Sequence, residues 1–390
     1  MTASGQRIYL DYNASAPLLP EARDAFVRAL DLVGNPSSVH AEGRAARAAL
    51  ARARAQVAGL VGGDTAGVVF TSGASEAAST CLTPNWQVSG ASHRLSRLAV
   101  LNTDHPCIRE GGRFPADSIT RLGVDRDGIV DLAQLKHWAA GGEGLLALTV
   151  ANSETGTIQP VEHIAAICRE QGVRLVLDAV QMAGRLPMDG MLALADAVIL
   201  SGHKIGAPKG VGAFVLSDET VRPEPLVTGG AQETRQRAGT EALPNIVAFG
   251  AGAEAAATRV HRSADLLELR RYLLERVGQL SPALVLGPAG STLPQTVAIH
   301  HPRLRAETVQ IALDLQGVAV SAGSACSSGK LGPSHVLAAL KAGGAAVEPD
   351  AGAIRVSFGL ETTRADLDAF ASAFERLWRK SVGEEDIKAA

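Results

Sequence analysis

Six short apolar segments, each followed by residues that can form a helix, constrain the fold of this chain more than any other feature. They are "GVVF" (67–70), "LAVLN" (98–102), "LLALTVA" (145–151), "RLVLD" (174–178), "DAVILS" (196–201) and "GAFVLS" (212–217). Continuous apolar runs are typical of strands that are buried on both faces, as in parallel sheets. Their alternation with helical segments predicts βαβ units, and therefore a doubly wound α/β domain with a mostly parallel sheet.

The sequence pattern changes after about residue 255. Residues 264–277 repeat apolar side chains at a spacing near 3.6, which predicts an amphipathic helix. Residues 362–382 open on a threonine that can cap a helix, and they predict the last one. Three strand candidates lie between these helices: "QTVAIHH" (295–301), "GVAVSA" (317–322) and "AIRVSF" (353–358). This pattern indicates a smaller α+β domain.

The length of the chain agrees with two domains. It has 390 residues, and at roughly 100–200 residues per domain two or three domains are expected. We expect a large α/β domain over residues 15–257. The smaller α+β domain would comprise residues 1–14 and 258–390.

Charge and hydropathy argue against two classes of partner. The net charge is −3 and the pI is near 6.4, which argues against nucleic acid and against a membrane surface. Residues 41–60 predict an alanine-rich helix. We interpret its arginines as a solvated face, and not an RNA-binding one, because the chain is slightly acidic. No apolar run reaches the ~18 residues that a membrane helix needs.

The cysteines and the first residues bear on the cellular compartment. Cys81, Cys107, Cys168 and Cys326 lie far apart, without a Cys-x-x-Cys pair. This spacing excludes a zinc ribbon and disfavours a disulfide framework, and no metal site is expected. The first residues, "MTASGQR", contain neither an apolar nor an Arg/Ser-rich leader. We therefore expect a cytoplasmic protein with reduced thiols.

Polar residues follow five of the apolar segments. In chain order they are the turn "TSGASEA" with Ser75, then His105, then Asn152 and Ser153, then Asp178 and Gln181, and finally His203 and Lys204. Ligands of open α/β sheets bind at the carboxyl ends of the strands. The glycine-containing turn opens a helix, whose first backbone N–H groups can hold a phosphate.

Each of these residues alone has an ordinary structural explanation as a helix cap, a turn residue or a surface charge. Together, at one edge of one sheet, they supply what pyridoxal phosphate requires. A lysine forms a Schiff base with its aldehyde, and a carboxylate pairs with its protonated pyridine nitrogen. An imidazole can stack on the ring and transfer protons. The sequence therefore predicts a pyridoxal phosphate site.

Several longer motifs make the resemblance to one family specific. They are "GNPSSVH" (34–40), "FTSGASE" (70–76), "LDAVQ" (177–181), "SGHKIGAPKG" (201–210), "GGAQETRQRAGTE" (229–241) and "GSACSSG" (323–329). In this order the chain resembles the cysteine desulfurases of the NifS/IscS type, in the class V aminotransferase group. The resemblance runs from residue 9 to residue 359. It implies the fold of type I pyridoxal phosphate enzymes.

The resemblance implies roles for the residues around the cofactor ring. Lys204 corresponds to the Schiff-base lysine and Asp178 to the partner of the pyridinium. Gln181 and Ser153 correspond to contacts of the ring hydroxyl, and His105 to the histidine that stacks on the ring.

The resemblance also implies a phosphate site that two subunits share. The phosphate contacts within one subunit would be Ala74, Ser75, Ser201 and His203. Thr240 would reach the phosphate of the neighbouring subunit, which implies a homodimer with sites at its interface.

The resemblance implies that three further residues serve in substrate binding and sulfur transfer. Asn35 and Arg355 correspond to the contacts of the substrate carboxylate, and the planar guanidinium of arginine suits a carboxylate. Cys326, in "SAGSACSSGK" (321–330), is ambiguous by itself between a small core residue and a reactive thiol. The resemblance assigns it as the sulfur acceptor. L-cysteine would then yield L-alanine and a persulfide on Cys326.

The chain departs from the usual family pattern at five positions. Ser153 stands where a second asparagine is usual, so that the bond to the ring hydroxyl is lost, moved to Asn152 or bridged by water. The other departures are Ser75 for threonine, Ala207 for glycine, Arg235 for glycine and Leu360 for arginine.

Alternatives to a desulfurase remain open at this point. They are a selenocysteine lyase, another class V lyase or aminotransferase that needs no thiol, and a cofactor-binding structural partner without turnover. The cysteine segment resembles the desulfurase branch that delivers sulfur to an iron–sulfur scaffold protein. The expected partners are therefore L-cysteine, a second copy of this chain and a scaffold or other sulfur acceptor.

Overall fold

A computed structural model of the chain describes residues 7–280, 283–323 and 333–381. Within these ranges the strands are β1 Ile8–Tyr9, β2 Val68–Thr71, β3 Asn85–Val88, β4 Ala91–Arg94, β5 Leu98–Leu101, β6 Ile119–Leu122, β7 Leu145–Thr149, β8 Arg174–Asp178, β9 Ala197–Ser201, β10 Gly212–Leu216, β11 Val221–Pro223, β12 Leu284–Val285, β13 Thr296–His300, β14 Val318–Ala319 and β15 Ala353–Ser357. The helices are α1 Pro20–Ala29, α2 Ala41–Val61, α3 Ala74–Cys81, α4 Pro106–Arg109, α5 Leu132–Ala139, α6 Val161–Glu170, α7 Met191–Leu194, α8 Leu243–Arg259, α9 Ser263–Val277, α10 Ala306–Asp314, α11 His335–Ala342 and α12 Arg364–Ser381.

All six predicted apolar segments form strands of one seven-stranded sheet, in the order β2-β10-β9-β8-β7-β5-β6. The sheet is parallel except for β10, which runs antiparallel to both of its neighbours. Only residues 202–211 connect β9 to β10, which is too short for a crossover helix, so β10 must run back beside β9. The prediction of a doubly wound, mostly parallel sheet is confirmed.

The seventh strand, β6, was not predicted from the sequence. It lies at the edge of the sheet, and its central residues Thr120 and Arg121 are exposed. An edge strand with polar residues does not show the continuous apolar run that marks the six central strands. The small sheet β11-β3-β4 was missed for the same reason, since Ala91–Arg94 is largely exposed.

Helices cover both faces of the large sheet. On one face α2 packs closely against α8, because small residues line the contact. A Cβ added to Gly250 would lie 2.6 Å from the Cα of Ala53. The sequence predicted that the arginines of α2 form a solvated face, and this is wrong for Arg54. Arg54 turns inward and forms an ion pair with the buried Glu233, at 2.6 Å. The opposite face is covered by α3 and α4.

The remainder of the chain forms a separate layer around the antiparallel sheet β12-β13-β15. The predicted helices appear as α9 and α12, which pack on this sheet through a shared apolar core. Thr363 and Asp366 exchange hydrogen bonds between backbone N–H groups and side chains, and this capping box explains where α12 begins.

The amino-terminal strand belongs to this layer, since β1 pairs in parallel with β14. This agrees with the predicted assignment of residues 1–14 to the smaller domain, and the division at residue 258 falls at the junction of α8 and α9. The domain boundaries stay a prediction. No helix among the described residues is long and apolar enough to cross a membrane. Cys81 and Cys168 are free, buried thiols.

Candidate active site at the carboxyl edge of the sheet

A cavity of about 550 Å³ lies where the parallel strands of the large sheet end. Most of the predicted site residues line it: Ala74, Ser75, His105, Ser153, Asp178, Gln181, Ser201, His203, Lys204 and Arg355. Two predicted residues, Asn35 and Thr240, are exposed and are not among its lining residues. Most of the predicted polar residues at the strand ends therefore lie around one cavity. Their individual roles stay predictions.

Lys204 lies at the end of a 3₁₀ turn that directly follows β9. The turn is tight, because a Cβ on Gly202 would lie 2.8 Å from a side-chain carbon of Val211. The Lys204 Nζ donates hydrogen bonds to the backbone oxygens of Asn13, at 2.6 Å, and Ala14, at 2.9 Å. Neither residue was predicted as part of the site, although the family resemblance covers both of them.

Asp178 is the last residue of β8 and is only 4% exposed. Its Oδ1 accepts a hydrogen bond from the backbone N–H of Val180 at 3.0 Å. Burial raises its pKa to about 6, although this hydrogen bond and the charge of Lys204 act in the opposite direction. A buried carboxylate of this kind favours a cationic partner, and a protonated pyridine nitrogen is one.

His105 follows β5 and caps the short helix α4. Its Nδ1 accepts from the backbone N–H of Cys107 at 3.3 Å and lies 3.0 Å from the Cys107 Sγ. Burial, followed by the charges of Lys204 and His335, lowers the pKa of His105 to about 4. The ring is therefore neutral near pH 7. Because Nδ1 accepts the amide hydrogen bond, the proton of the neutral ring resides on Nε2.

Cys107 also lines the cavity, and the sequence analysis gave no reason to expect this. The signal that was available is its spacing of two residues from His105, which a helix cap brings into contact.

The turn between β2 and α3 forms another wall of the cavity. The first N–H groups of a helix lack intrahelical acceptors, and here they belong to Ala74 and Ser75. Glu76 fixes the turn by accepting from the backbone N–H of Ser72 at 2.8 Å and from Arg237 at 2.9 Å. Burial raises the pKa of Glu76, but these hydrogen bonds outweigh burial and hold the pKa below its ordinary value.

His203 and Ser201 complete the polar wall at this end of the cavity. The Nδ1 of His203 lies 3.3 Å from the hydroxyl oxygen of Ser15. Burial, followed by the charges of Lys204 and Lys209, lowers the pKa of His203 to about 4. Near pH 7 it is a neutral hydrogen-bonding group. Lys209, which lines the same cavity and was not predicted, supplies a positive charge at its rim.

Arg355 enters the cavity from β15 of the smaller sheet and is 3% exposed. It donates to the Oδ1 of Asp11 at 2.7 Å, to the hydroxyl of Ser321 at 2.9 Å and to the backbone oxygen of Ser153 at 3.0 Å. Its buried Nε has no hydrogen-bond partner among the described residues. Asp11 therefore orients the predicted carboxylate-binding arginine, and no local sequence pattern marked it.

The departure at Ser153 places a short hydroxyl side chain, and not an amide, at this position of the cavity wall. Asn152 does not replace it, because its amide binds the backbone: Oδ1 accepts from the N–H groups of Glu154 and Thr155 at 2.9 Å, and Nδ2 donates to the oxygen of Thr103 at 2.8 Å. Of the three possibilities raised by the sequence, transfer of the bond to Asn152 is disfavoured by this geometry.

The predicted sulfur acceptor, Cys326, lies outside the described residues. The described chain on both sides of it approaches Glu154. A Cβ on Gly323 would lie 3.2 Å from the Oε2 of Glu154, and the Ser334 hydroxyl donates to the same oxygen at 3.0 Å. Burial raises the pKa of Glu154. The described residues that precede and follow positions 324–332 therefore both lie close to the Glu154 carboxyl group, which is next to Ser153 in the chain.

The residues of this cavity fit pyridoxal phosphate. A buried acid at the end of β8 calls for a cation, an amine and a neutral imidazole line the same space, and helix amides with two hydroxyls face it. At Gly73, next to these amides, an added Cβ would meet no atom within 4 Å, so the cavity is open where a phosphate would lie. The donor set therefore matches each polar part of the cofactor.

Comparisons with known proteins agree with this site. Residues 8–370 match the aminotransferase class-V family. The cysteine desulfurase IscS of Dictyoglomus turgidum is 35% identical over 385 residues, which cover 96% of this chain and 95% of that protein. A cysteine desulfurase of Cereibacter sphaeroides is 37% identical over 373 residues, 93% of each chain.

Solved structures show the same relationship. A NifS-like protein from Rickettsia africae superposes with a TM-score of 0.84 at 26% identity, covering 96% of this chain and 99% of that one. SspA in complex with cysteine superposes with a TM-score of 0.71 at 26% identity, covering 90% of this chain and 98% of that one. The chain therefore belongs to the aminotransferase class-V family and, within it, to the cysteine desulfurases.

Proposed function

We propose that this protein is a cysteine desulfurase, which uses pyridoxal phosphate to remove sulfur from L-cysteine and leaves L-alanine and a persulfide on Cys326. One observation carries the proposal: Lys204, Asp178 and His105 line a single cavity at the carboxyl edge of the sheet, and Arg355 enters the same cavity. An amine, a buried acid, a neutral imidazole and a guanidinium are the groups that this reaction needs.

The cofactor, when bound, supplies an electron sink for the α-carbon of the substrate. Asp178 would hold the protonated ring nitrogen, and the neutral ring of His105 would lie against the ring face. Gln181 and Ser153 would contact the ring hydroxyl. The phosphate would be held by Ala74, Ser75, Ser201 and His203, with Thr240 from a neighbouring subunit.

The substrate is held and deprotonated by residues of this chain. Arg355 would bind the α-carboxylate with its guanidinium, which Asp11 keeps in place. Asn35 is the second predicted contact of that carboxylate, but it lies on the surface of the single chain. The Lys204 amine, in the same cavity, would accept the proton of the α-carbon.

Sulfur transfer is a substitution at the substrate sulfur. The Cys326 thiolate attacks that sulfur, the S–S bond of the persulfide forms and the Cβ–S bond breaks. The electron pair of the broken bond passes to Cβ, which takes up a proton, and the α-carbon regains the proton that it gave to Lys204, so that the product is alanine. A thiol reductant or an acceptor protein then removes the outer sulfur. Lys204 and His105 are the groups placed to move protons in this sequence.

We propose that the protein acts as a homodimer, that it is cytoplasmic, and that its acceptor is an iron–sulfur scaffold or another sulfur-carrying protein. The surface that bears Asn35 supports the dimer: the flanking Val33 and Val39 are 85% and 82% exposed. Exposed apolar side chains beside predicted site residues are typical of a subunit interface. Light scattering at several concentrations measures the mass and would contradict the dimer if it found only monomer.

The central experiment loads the protein with pyridoxal phosphate, adds L-cysteine and a thiol reductant, and quantifies alanine and sulfide together. Equal amounts over many turnovers are expected. The variant Cys326→Ala should still bind cofactor and cysteine but form neither product at a significant rate, whereas Cys81→Ala, a buried free thiol, is the matched control. Sulfide release by Cys326→Ala at the wild-type rate would refute the acceptor assignment. Turnover of selenocysteine but not of cysteine would favour the selenocysteine lyase.

A further inference from the structure

Arg185 is a buried cation that neither the family motifs nor the proposed reaction uses. It lies in the segment after β8 and is 7% exposed. One terminal nitrogen, Nη1, donates to the backbone oxygen of Gln181 at 2.9 Å and to its side-chain Oε1 at 3.0 Å. The other, Nη2, donates to the backbone oxygens of Lys204 at 3.2 Å and Tyr12 at 3.4 Å.

These contacts are unusual because every acceptor is neutral. Arg185 forms no ion pair with a carboxylate within the described part of the chain. A buried guanidinium without a counterion is unfavourable unless hydrogen bonds compensate for the lost water. Its four contacts provide this compensation, and all of them go to residues that bear on the candidate active site.

The contacts of Arg185 join three separate segments beside the cavity. Gln181 and Lys204 both line it, from the ends of β8 and β9. Tyr12 precedes Asn13, whose backbone oxygen accepts from the Lys204 amine at 2.6 Å and from the Gln181 Nε2 at 3.0 Å. Arg185 and the Asn13 carbonyl therefore contact the same two residues: Arg185 binds the Lys204 backbone and the Gln181 Oε1, and the Asn13 oxygen binds the Lys204 Nζ and the Gln181 Nε2.

The orientation of the Gln181 amide follows from this arrangement. Its Oε1 accepts from Arg185, so its Nε2 is left to donate toward Asn13 and the cavity. An amide turned the other way would bring an NH₂ group against the guanidinium. Arg185 thus makes Gln181 a hydrogen-bond donor toward the position where the cofactor ring hydroxyl is proposed to lie.

We propose that Arg185 is a positioning residue of the proposed desulfurase site, which holds the Lys204 backbone and orients the Gln181 amide so that both side chains meet the cofactor. This inference rests on the proposed function. Arg185 acts through these two residues and is not a catalytic residue, because the described contacts reach no reacting group directly.

The charge of Arg185 gives the proposal a second observable. Burial, followed by the charge of Arg355, lowers the pKa of Arg185 to about 10, so it stays positive below pH 9. Among the described residues, the other charged or titratable groups that line the cavity with Lys204 are Glu76, His105, Cys107, Asp178, His203, Lys209 and Arg355. The two histidines are neutral near pH 7. Replacing Arg185 by a neutral residue removes one positive charge near Lys204 and leaves these groups in place, which stabilises a protonated nitrogen at Lys204.

The test compares the wild type with Arg185→Met, Arg185→Lys and the control Arg270→Met. Arg270 is equally buried, at 7% exposed, but donates to the backbone oxygen of Thr296 in the smaller layer. The affinity for pyridoxal phosphate is measured by titration of the apo-protein, and the visible absorbance of the bound cofactor is followed against pH. Neither measurement requires turnover of cysteine.

Arg185→Met should bind the cofactor about tenfold more weakly and should shift the absorbance titration to higher pH. Arg185→Lys should restore the titration because it keeps the charge, but not the affinity, because an ammonium cannot make the same four contacts. Arg270→Met should lower the unfolding midpoint without changing either cofactor property.

Two results would overturn the proposal. One is a cofactor affinity of Arg185→Lys equal to that of the wild type, which remains measurable even if Arg185→Met does not fold. The other is an equal shift in Arg185→Met and Arg270→Met, which would show a general loss of stability. If the wild type itself did not bind the cofactor, the proposed function would fail and this proposal with it. If the wild type binds the cofactor, either of the two results above would overturn this proposal alone.

Discussion

The two halves of the candidate active site are built in different ways. The cofactor half consists of residues at the ends of neighbouring strands of one sheet, and the backbone of that sheet fixes their spacing. The substrate half is assembled around Arg355, whose contacts come from the amino-terminal segment, the loop after β7 and the residues after β14. The cofactor half thus depends on one sheet, while the substrate half depends on how two layers pack together.

This difference has a consequence for electrostatics. In the cofactor half, burial raises the pKa of Asp178, and Lys204 is the cation that acts on it among the residues that the structure describes. In the substrate half, Arg355 already has a carboxylate partner, Asp11, at 2.7 Å. The buried Asp178 of the cofactor half therefore favours binding of a cation. Arg355 of the substrate half already has an ion-pair partner before any ligand binds. Substitutions in the two halves should therefore fail in different ways.

The largest effect is expected for Lys204→Ala in the cofactor half. Loss of the amine removes both the attachment point of the cofactor and the proposed base, so alanine formation should fall at least about 10³-fold. The global fold should remain, because the sheet does not depend on this side chain. Alanine formation and thermal unfolding are measured side by side, with Lys136→Ala on the exposed face of α5 as control. Retention of wild-type turnover would place the essential amine elsewhere.

The next effect concerns Arg355→Met in the substrate half. It should raise KM for cysteine by roughly 100-fold and also lower stability by about 3 kcal/mol, because Asp11 is left without its partner. Asp11→Asn breaks the same ion pair but keeps the guanidinium, so it should lose stability with a much smaller rise in KM. Steady-state kinetics and urea unfolding of both variants separate the two roles. An equal rise in KM in both would show that the pair acts only as a structural unit.

A pH-dependent effect is expected for Asp178→Asn in the apo-protein. Burial raises the pKa of Asp178 from 3.8 to about 6, so protonation of Asp178 stabilises the folded wild type. This stabilisation is complete below pH 3.8, and it is lost as the pH rises through 6. The asparagine variant does not lose it, so the free energy of unfolding of the variant relative to wild type should increase by up to about 3 kcal/mol between about pH 4 and pH 7.

Urea unfolding of the two apo-proteins across this pH range measures the difference. Pyridoxal phosphate should reduce the pH dependence in the wild type, because the ring nitrogen supplies the missing cation. A stability difference that does not vary with pH would show that Asp178 is not a strained acid. It would also remove the electrostatic contrast between the two halves.

The smallest effect is expected in the 3₁₀ turn Gln232–Arg235, which precedes Thr240. Arg235, where glycine is frequent in the family, has φ of +67°, and Glu233 and Thr234 before it also lie in the left-handed region. The ion pair of Arg54 with the buried Glu233 holds this turn. Arg235→Gly should relieve strain and stabilise the protein by about 1 kcal/mol. Arg235→Ala, which keeps a Cβ, is the control and should give little gain; equal midpoints for all three proteins in urea would argue against strain.

Much of the cofactor half could be predicted from the sequence. An apolar run followed by a polar residue is a local pattern, and a parallel sheet brings such residues to one edge whatever the details of packing. This is why Asp178, Lys204, His105 and Ser75 were found as a group. The motifs of the resemblance added their separate roles, which remain proposals.

Other residues became visible only when the chain was folded. Asp11 contacts Arg355 across a separation of 344 residues, and Arg185 contacts Lys204 and Tyr12 through backbone oxygens that every residue possesses. Cys107 was recognised as a cavity residue only from its contact with the His105 ring. No composition or periodicity marks such positions.

The sequence by itself determined the class of the sheet, the order of its central strands along the chain and the chemistry available at their ends. These features follow from continuous apolar runs that end in polar residues, which is a local pattern. The tertiary structure decided which carboxylate holds Arg355 and which buried cation supports Lys204. Those outcomes depend on contacts between distant segments, whose energies arise only when packing removes water from between them.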